Sequence, residues 1–248
     1  MGKLAIVTGG GRGIGAAICR LLAEAGHDIC VNYQSDRHRA EAVAAQCRAL
    51  GVKAQAIQAD VGDRRAVAAM FVTCDEAFGA PSVLVNNAGT VGARGRLVDL
   101  EETALTRAFA TNLFGPVYCM QEAIRRMSSE KGGQGGSIVN VSSIAATLGS
   151  PGEYVHYAAS KAALDALTVG LSKEVGPEGI RVNSVQAGTA DTEIHEREGN
   201  PERPAMVAAT APLRRIATPE DIAEAVAWLA SDKAAYTTGA VLRVGGGL

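Results

Sequence analysis

An α/β fold is predicted: one domain built on a doubly wound parallel sheet, with helices on both faces. Three observations point to it. Short apolar runs alternate with helical periodicity along the whole chain. The runs are near-continuous rather than alternating, as strands buried on both faces require. The chain has 248 residues, 47% hydrophobic and only 4% aromatic, enough for one large core of Ala, Val, Leu and Ile. Strand–helix alternation with right-handed crossovers then gives a sheet of about seven strands.

The elements follow in order. LAIVT (4–8) reads as a buried strand, followed by a helix over about 14–25. DICVNY (28–33) is the second strand, with a helix near 36–50, and KAQAIQAD (53–60) leads to a helix near 63–78. SVLVNNAG (82–89) is the fourth strand, followed by helices near 101–111 and 113–128. GSIVNVSS (136–143) is the fifth, and a long helical pattern covers 154–175. IRVNSVQAG (180–188) and AVLRVGG (240–246) complete the sheet, with a helix near 219–231 between them. SSEKGGQGGS (128–137) is a surface loop. The stretch 189–214 is too long for an ordinary connection and is expected to be a lid over a site. No second core or repeat is visible, so 1–248 reads as one unit.

Composition narrows the function. A formal net charge of -2 gives no electrostatic grip on nucleic acid or an acidic membrane. Arg64-Arg65, Arg125-Arg126 and Arg214-Arg215 are scattered and read as solvated helix ends. No apolar run approaches the ~20 residues that span a bilayer, and a strand starting near Lys3 leaves no room for a signal peptide. Five cysteines without a C-x-x-C fit reduced core thiols and a cytoplasmic protein. His27, His38, His156 and His195 show no ligand spacing, so no metal is expected and they read as surface residues; His195 falls in the lid.

TGGGRGIG (8–15) lies where the first strand hands over to the first helix. Helix N-terminal N–H groups and the helix dipole favour an anion there. A β-carbon at Gly9, Gly13 or Gly15 would obstruct the turn, a pyrophosphate or the helix–sheet contact, so Gly13-Ile14-Gly15 reads as a phosphate seat. No Lys-Ser or Lys-Thr follows, which excludes the P-loop. In a doubly wound sheet this is the Rossmann-type position for a dinucleotide.

The spacing T-G-x-x-x-G-I-G resembles that of the short-chain dehydrogenase/reductase family, and other motifs agree in order: NNAG (86–89), Asn112 in ATNLFG, VSS followed by YAASK, VNSVQAGTADT and TGAVLRVGGG. The resemblance spans essentially the whole chain. It is closest to the branch of 3-oxoacyl-carrier-protein reductases and glucose 1-dehydrogenase-like enzymes. It implies a catalytic tetrad of Asn112, Ser143, Tyr157 and Lys161, with Asn112 distorting its helix and linking Lys161 to solvent through a water. It implies cofactor contacts at Asp60 and Val61 (adenine), at Asn87, Ala88 and Gly89 (ribose), at Lys161 (nicotinamide ribose), and at Gly188 and Thr192 (carboxamide). Where the family has Pro-Gly this chain has Ala187-Gly188, and the loop is expected to be less rigid.

The residue chemistry supports that reading. Tyr157 and Lys161 are four apart and share a helix face. A free phenol, titrating near ~10, is a poor base at neutral pH, and an ammonium beside it favours the phenolate. Tyr154, three residues earlier, has Ala158 at i+4 and no such partner. Alone, the pair would be an ordinary feature of an amphipathic surface. Ser143 ends the fifth strand, and Ser142 should point to the other side. NAD-specific sites hold the ribose hydroxyls with a carboxylate about 20 residues past the glycine loop. The matching position here is Tyr33, while Arg12 and Arg37 can reach a 2′-phosphate, so NADP is expected over NAD.

The expected function is NADP-dependent hydride transfer between nicotinamide and a carbonyl or secondary alcohol, on a 3-oxoacyl thioester or a small polar carbonyl. A sugar or polyol dehydrogenase remains an alternative. A non-catalytic nucleotide sensor or a Rossmann-like methyltransferase is disfavoured by the intact tetrad. Relatives pair the 154–175 helix and the 101–128 region across a two-fold axis, which implies a homotetramer.

Overall fold

The computed structural model describes residues 3–193 and 202–248; His195, Glu196, Arg197 and Glu198, in the stretch expected to be a lid, lie outside them. The strands are β1 (Lys3–Val7), β2 (His27–Tyr33), β3 (Ala54–Gln58), β4 (Pro81–Asn86), β5 (Gly136–Ser143), β6 (Ile180–Ala187) and β7 (Val241–Val244). They form one seven-stranded sheet in the order β3-β2-β1-β4-β5-β6-β7, and every neighbouring pair is parallel.

The helices among the described residues are α1 (Gly13–Glu24), α2 (Arg37–Ala49), α3 (Arg64–Phe78), α4 (Glu102–Phe109), α5 (Gly115–Met127), α6 (Ala145–Leu148), α7 (Val155–Val175), α8 (Arg203–Thr210) and α9 (Pro219–Ala230). β1 shows why both faces are covered. Ala5 and Val7 point into a core shared with α1, α2 and α9. Leu4 and Ile6, on the other side of the pleat, enter a second core with α3, α5 and α7. Local chemistry sets several helix starts. Asp36 accepts from the Arg39 N–H and Asp63 from those of Arg65 and Ala66, while Thr218 and Asp221 form a capping box. A hydrogen bond from Arg215 also holds the Asp221 carboxyl well below the usual carboxylate range.

Three differences from the sequence reading have physical causes. The strand expected over 82–89 stops at Asn86, because Asn87 to Gly89 turn across the end of β1. The helices expected over 101–111 and 113–128 form one path interrupted by a π turn at Ala110–Phe114. Pro116, in the first turn of α5, has no N–H to close the α-helical bond back to Asn112, and the wider turn absorbs the missing link. The long connection after β6 carries structure of its own: Ala190 bridges to Ala217, and α8 lies within it.

The strand order reverses at β1 and β4, where an open α/β sheet binds ligands beyond its strand ends. Thr8 staples that point. Its hydroxyl donates to the Val85 carbonyl (3.3 Å) and accepts from the N–H groups of Asn87 (3.0 Å) and Ala88 (3.1 Å).

Candidate active site

Beyond the carboxyl ends of the strands lies a cavity of about 1150 Å³. Of the residues expected at a site, Gly9, Arg12, Gly13, Ile14, Gly15, Tyr33, Asp60, Val61, Asn87, Ala88, Gly89, Ser143, Tyr157, Lys161, Gly188 and Thr192 line it. Arg37 and Asn112 do not.

The glycine turn is shaped by what it excludes. A β-carbon on Gly15 would lie 2.3 Å from the Gly9 carbonyl oxygen and 2.5 Å from Asn87 Nδ2. Gly13 has φ +50°, left-handed backbone that side chains resist, and Thr192 Cγ2 lies 3.1 Å from where its β-carbon would stand. Two buried or half-buried asparagines hold the turn from behind. Asn87 Nδ2 donates to the carbonyls of Thr8 (2.9 Å) and Gly9 (3.1 Å). Asn32 Oδ1 accepts from the Gly9 N–H (3.2 Å), and its amide donates to Ile57 (3.3 Å) and Ala59 (3.1 Å). Neither Thr8 nor Asn32 stood out in the sequence. An asparagine inside an otherwise apolar strand was the available signal.

At the β2–β3 end, Tyr33 is buried where an acid would stand in an NAD site. Gln34 Nε2 donates to Asp60 Oδ2 (2.8 Å), and Asp60 Oδ1 accepts from the Gly62 N–H (2.9 Å). The expectation at Arg37 needs correcting. Arg37 opens α2, is exposed and does not line the cavity. Arg39 shares the cavity side with the cap Asp36 and lines the wall instead. It makes two bonds to the Glu193 carboxylate (2.7 and 2.6 Å) and pairs with Asp36 at 3.3 Å.

At the other end, β5 and α7 bring three polar side chains together. Ser143 is buried at the end of β5, its Oγ accepting from the Ala145 N–H (3.1 Å). Ser142 Oγ donates instead to the Lys161 carbonyl (3.3 Å). Lys161 Nζ lies 5.9 Å from the centroid of the Tyr157 ring and donates to the Val141 carbonyl (2.8 Å). Burial lowers the Lys161 pKa to about 8, against an opposing effect of Asp165. Asn112, fully buried in the π turn, braces this end from outside the cavity. Its Oδ1 accepts from the Thr90 N–H (2.9 Å), and its Nδ2 donates to the Thr90 carbonyl (2.8 Å) and to Ser160 Oγ (3.0 Å). A β-carbon on Gly89 would lie 3.4 Å from Asn112 Oδ1 and 3.5 Å from Lys161 Nζ, in ordinary contact with both groups.

The histidine expectation is corrected at one position. His156 is buried, not on the surface. Its ring packs under the loop after β4, with Nε2 2.9 Å from where a Gly92 β-carbon would stand. Burial lowers its pKa, against the opposing pull of the Val91 backbone.

Comparison with known proteins agrees with this geometry. The profile of the family described as "Enoyl-(Acyl carrier protein) reductase" matches residues 9–248. An uncharacterized oxidoreductase of Escherichia coli (strain K12), YgfF, is 46% identical over 98% of this chain and 99% of its own. The 3-oxoacyl-[acyl-carrier-protein] reductase FabG of Staphylococcus aureus (strain Mu50 / ATCC 700699) is 38% identical over 100% of this chain and 98% of its own. Among solved structures, a short chain dehydrogenase from Burkholderia cenocepacia J2315 in complex with NADP superposes with a TM-score of 0.91 at 37% identity, covering 100% of this chain and 98% of that one. The chain belongs to the short-chain dehydrogenase/reductase family.

Proposed function

We propose that this protein is an NADP-dependent oxidoreductase that interconverts a carbonyl and a secondary alcohol. The observation that carries the reading is that Ser143, Tyr157 and Lys161 share one cavity with the glycine turn. A site for chemistry and a seat for a dinucleotide are therefore continuous.

The cavity fits a dinucleotide because its wall at Gly13 and Gly15 is bare backbone at the amino terminus of α1. There the N–H groups and the helix dipole receive a pyrophosphate. Asp60 and Val61 would border the adenine, Asn87 to Gly89 the ribose, and Gly188 and Thr192 the nicotinamide end. The absence of an acid at Tyr33, with Arg12 and Arg39 on the wall, suits a 2′-phosphate. The NADP complex of the Burkholderia relative supports the same choice. Bound nicotinamide supplies the hydride chemistry.

The rest falls to the chain. Ser143 Oγ holds the substrate oxygen, Tyr157 gives or takes the proton on it, and the Lys161 ammonium favours the phenolate. Asn112 fixes the Thr90 backbone and Ser160 that frame these groups. The reading extends to a small polar carbonyl or a 3-oxoacyl thioester as substrate, for which the FabG relative gives support. It treats the chain as one unit.

Two further features belong to the proposal. Five free cysteines, all buried, suit a reducing cytoplasm. Among the described residues no helix is long and apolar enough to cross a membrane. Leu97, Val98, Phe114 and Val169 expose apolar surface on and around α4, α5 and α7, and Trp228, Tyr236 and Val241 do so near the β7 edge. Two such surfaces suit a homotetramer. The test is oxidation of NADPH, monitored by its absorbance, against a panel of 3-oxoacyl thioesters, small polar ketones and sugar-derived carbonyls. Turnover is expected with NADPH in preference to NADH. Tight cofactor binding without turnover on any carbonyl would favour a nucleotide sensor. Light scattering giving a 25.5 kDa particle would refute the tetramer.

A further inference from the structure

Lys161 is a buried cation whose surroundings oppose its charge. Its Nζ has the Val141 carbonyl as a partner at 2.8 Å, and burial lowers its pKa to about 8. An ammonium whose charge is disfavoured by burial is a weaker support for a phenolate, so whatever sustains that charge bears on the reaction.

Asp165 is placed to do so. It follows Lys161 by one helical turn, and residues four apart on a helix are neighbours. Its carboxylate is half-buried and held by β6. Ser184 Oγ donates to Oδ1 at 2.7 Å and Gln186 Nε2 to Oδ2 at 2.8 Å. Both partners are buried and neutral. They fix the carboxylate without cancelling its charge, which stays available to Lys161.

Among the described residues no other charged group around α7 competes for this role. β5, α6 and the π turn contribute no charged side chain to the packing. On β6, Arg181 is engaged by the carbonyls of Leu229 (2.8 Å) and Thr237 (3.3 Å). On β7, Arg243 reaches Asp165 only through Gln186, whose Oε1 lies 3.4 Å from its Nε. α4 carries Glu102 and Arg107, and α7 itself carries His156, Tyr157, Lys173 and Glu174. Of all these, Asp165 is the charge that opposes the lowering of the Lys161 pKa by burial.

We propose that Asp165 is a positioning residue of the active site: its carboxylate, fixed by Ser184 and Gln186, keeps Lys161 an ammonium beneath Tyr157. The significance for turnover rests on the oxidoreductase reading above, but the charge of Lys161 can be measured without turnover.

The experiment is competitive acetylation of Lys161 with acetic anhydride across pH in the cofactor-free enzyme, read by mass spectrometry of the peptide. In Asp165→Asn the midpoint is expected to fall by about one unit relative to wild type, and Asp165→Glu is expected to restore most of it. Asp165→Ser repeats the loss of charge with another shape, should the amide variant fold poorly. An unchanged midpoint in the neutral variants, with only a lower melting temperature, would overturn the proposal and leave Asp165 as an anchor of α7 on β6. Because no substrate enters this assay, its outcome is independent of whether the oxidoreductase reading holds.

Discussion

At the glycine turn the cavity wall is made of main chain. Gly9, Gly13 and Gly15 present amides and carbonyls, and the groups that hold them, Thr8, Asn32 and Asn87, donate to and accept from backbone. At the β4–β6 end the wall is made of side chains. Ser143, Tyr157 and Lys161 face the cavity, and Asn112 and Asp165 stand behind them. The first end is built to bind, because what the glycine turn presents is backbone. The second holds a cation whose pKa lies at about 8. Damage to the two ends should therefore separate cleanly into loss of binding and loss of turnover.

The largest expected effect is at the side-chain end. Tyr157→Phe keeps the ring and removes the transferable proton. General acid–base groups contribute ~10²–10⁴-fold, so kcat should drop by about 10³-fold. The dissociation constant for NADPH, from quenching of the Trp228 fluorescence or from calorimetry, should change less than about threefold. Retained turnover would break the assignment of Tyr157; a large loss of binding would break the separation of the two ends.

Next in size is Gly15→Ala at the backbone end. The added β-carbon would lie 2.3 Å from the Gly9 oxygen, and the turn must move. Overpacking of this kind costs about 1–3 kcal/mol, which in a chain of this size lowers Tm by several degrees. Displaced amides should weaken NADPH binding by about tenfold to a hundredfold. With cofactor held saturating, kcat should fall much less than in Tyr157→Phe. Equal losses in the two variants would show that the cavity does not divide in this way.

The same contrast explains what could be read from the chain alone. Glycines that exclude a side chain leave a mark at fixed spacing, so the tight backbone turn was visible in TGGGRGIG. Tyr157 and Lys161 lie one helical turn apart, so their meeting was visible too. What binds distant segments was not. Asn32 reaches Gly9 across 23 residues and Thr8 reaches Asn87 across 79, and neither contact leaves a periodic trace. His156 was expected at the surface with the other histidines because none shows ligand spacing, and no local pattern marks the loop after β4 that covers it. Arg37 was expected at the 2′-phosphate because it closely follows the second strand, whereas in the structure Arg39 lines the cavity.

That last correction yields the smallest expected effect. Arg37 and Arg39 are chemically identical and two residues apart at the start of α2, so they form an internal control. Arg39 lines the cavity and its guanidinium is already paired with Glu193 and Asp36. A 2′-phosphate arriving there must share or displace those carboxylates, and the site is about half exposed to screening solvent. The gain is therefore modest. Arg39→Ala should reduce the ratio of NADPH to NADH affinity by about fivefold, with the difference shrinking at high salt. Arg37→Ala should change the ratio by less than about twofold, because its side chain is not on the wall. The measurement is a pair of fluorescence titrations for each variant at low and high ionic strength. A larger loss from Arg37→Ala than from Arg39→Ala would mean that the helix start turns when cofactor binds, and that the cavity wall at this end is not the one the cofactor meets.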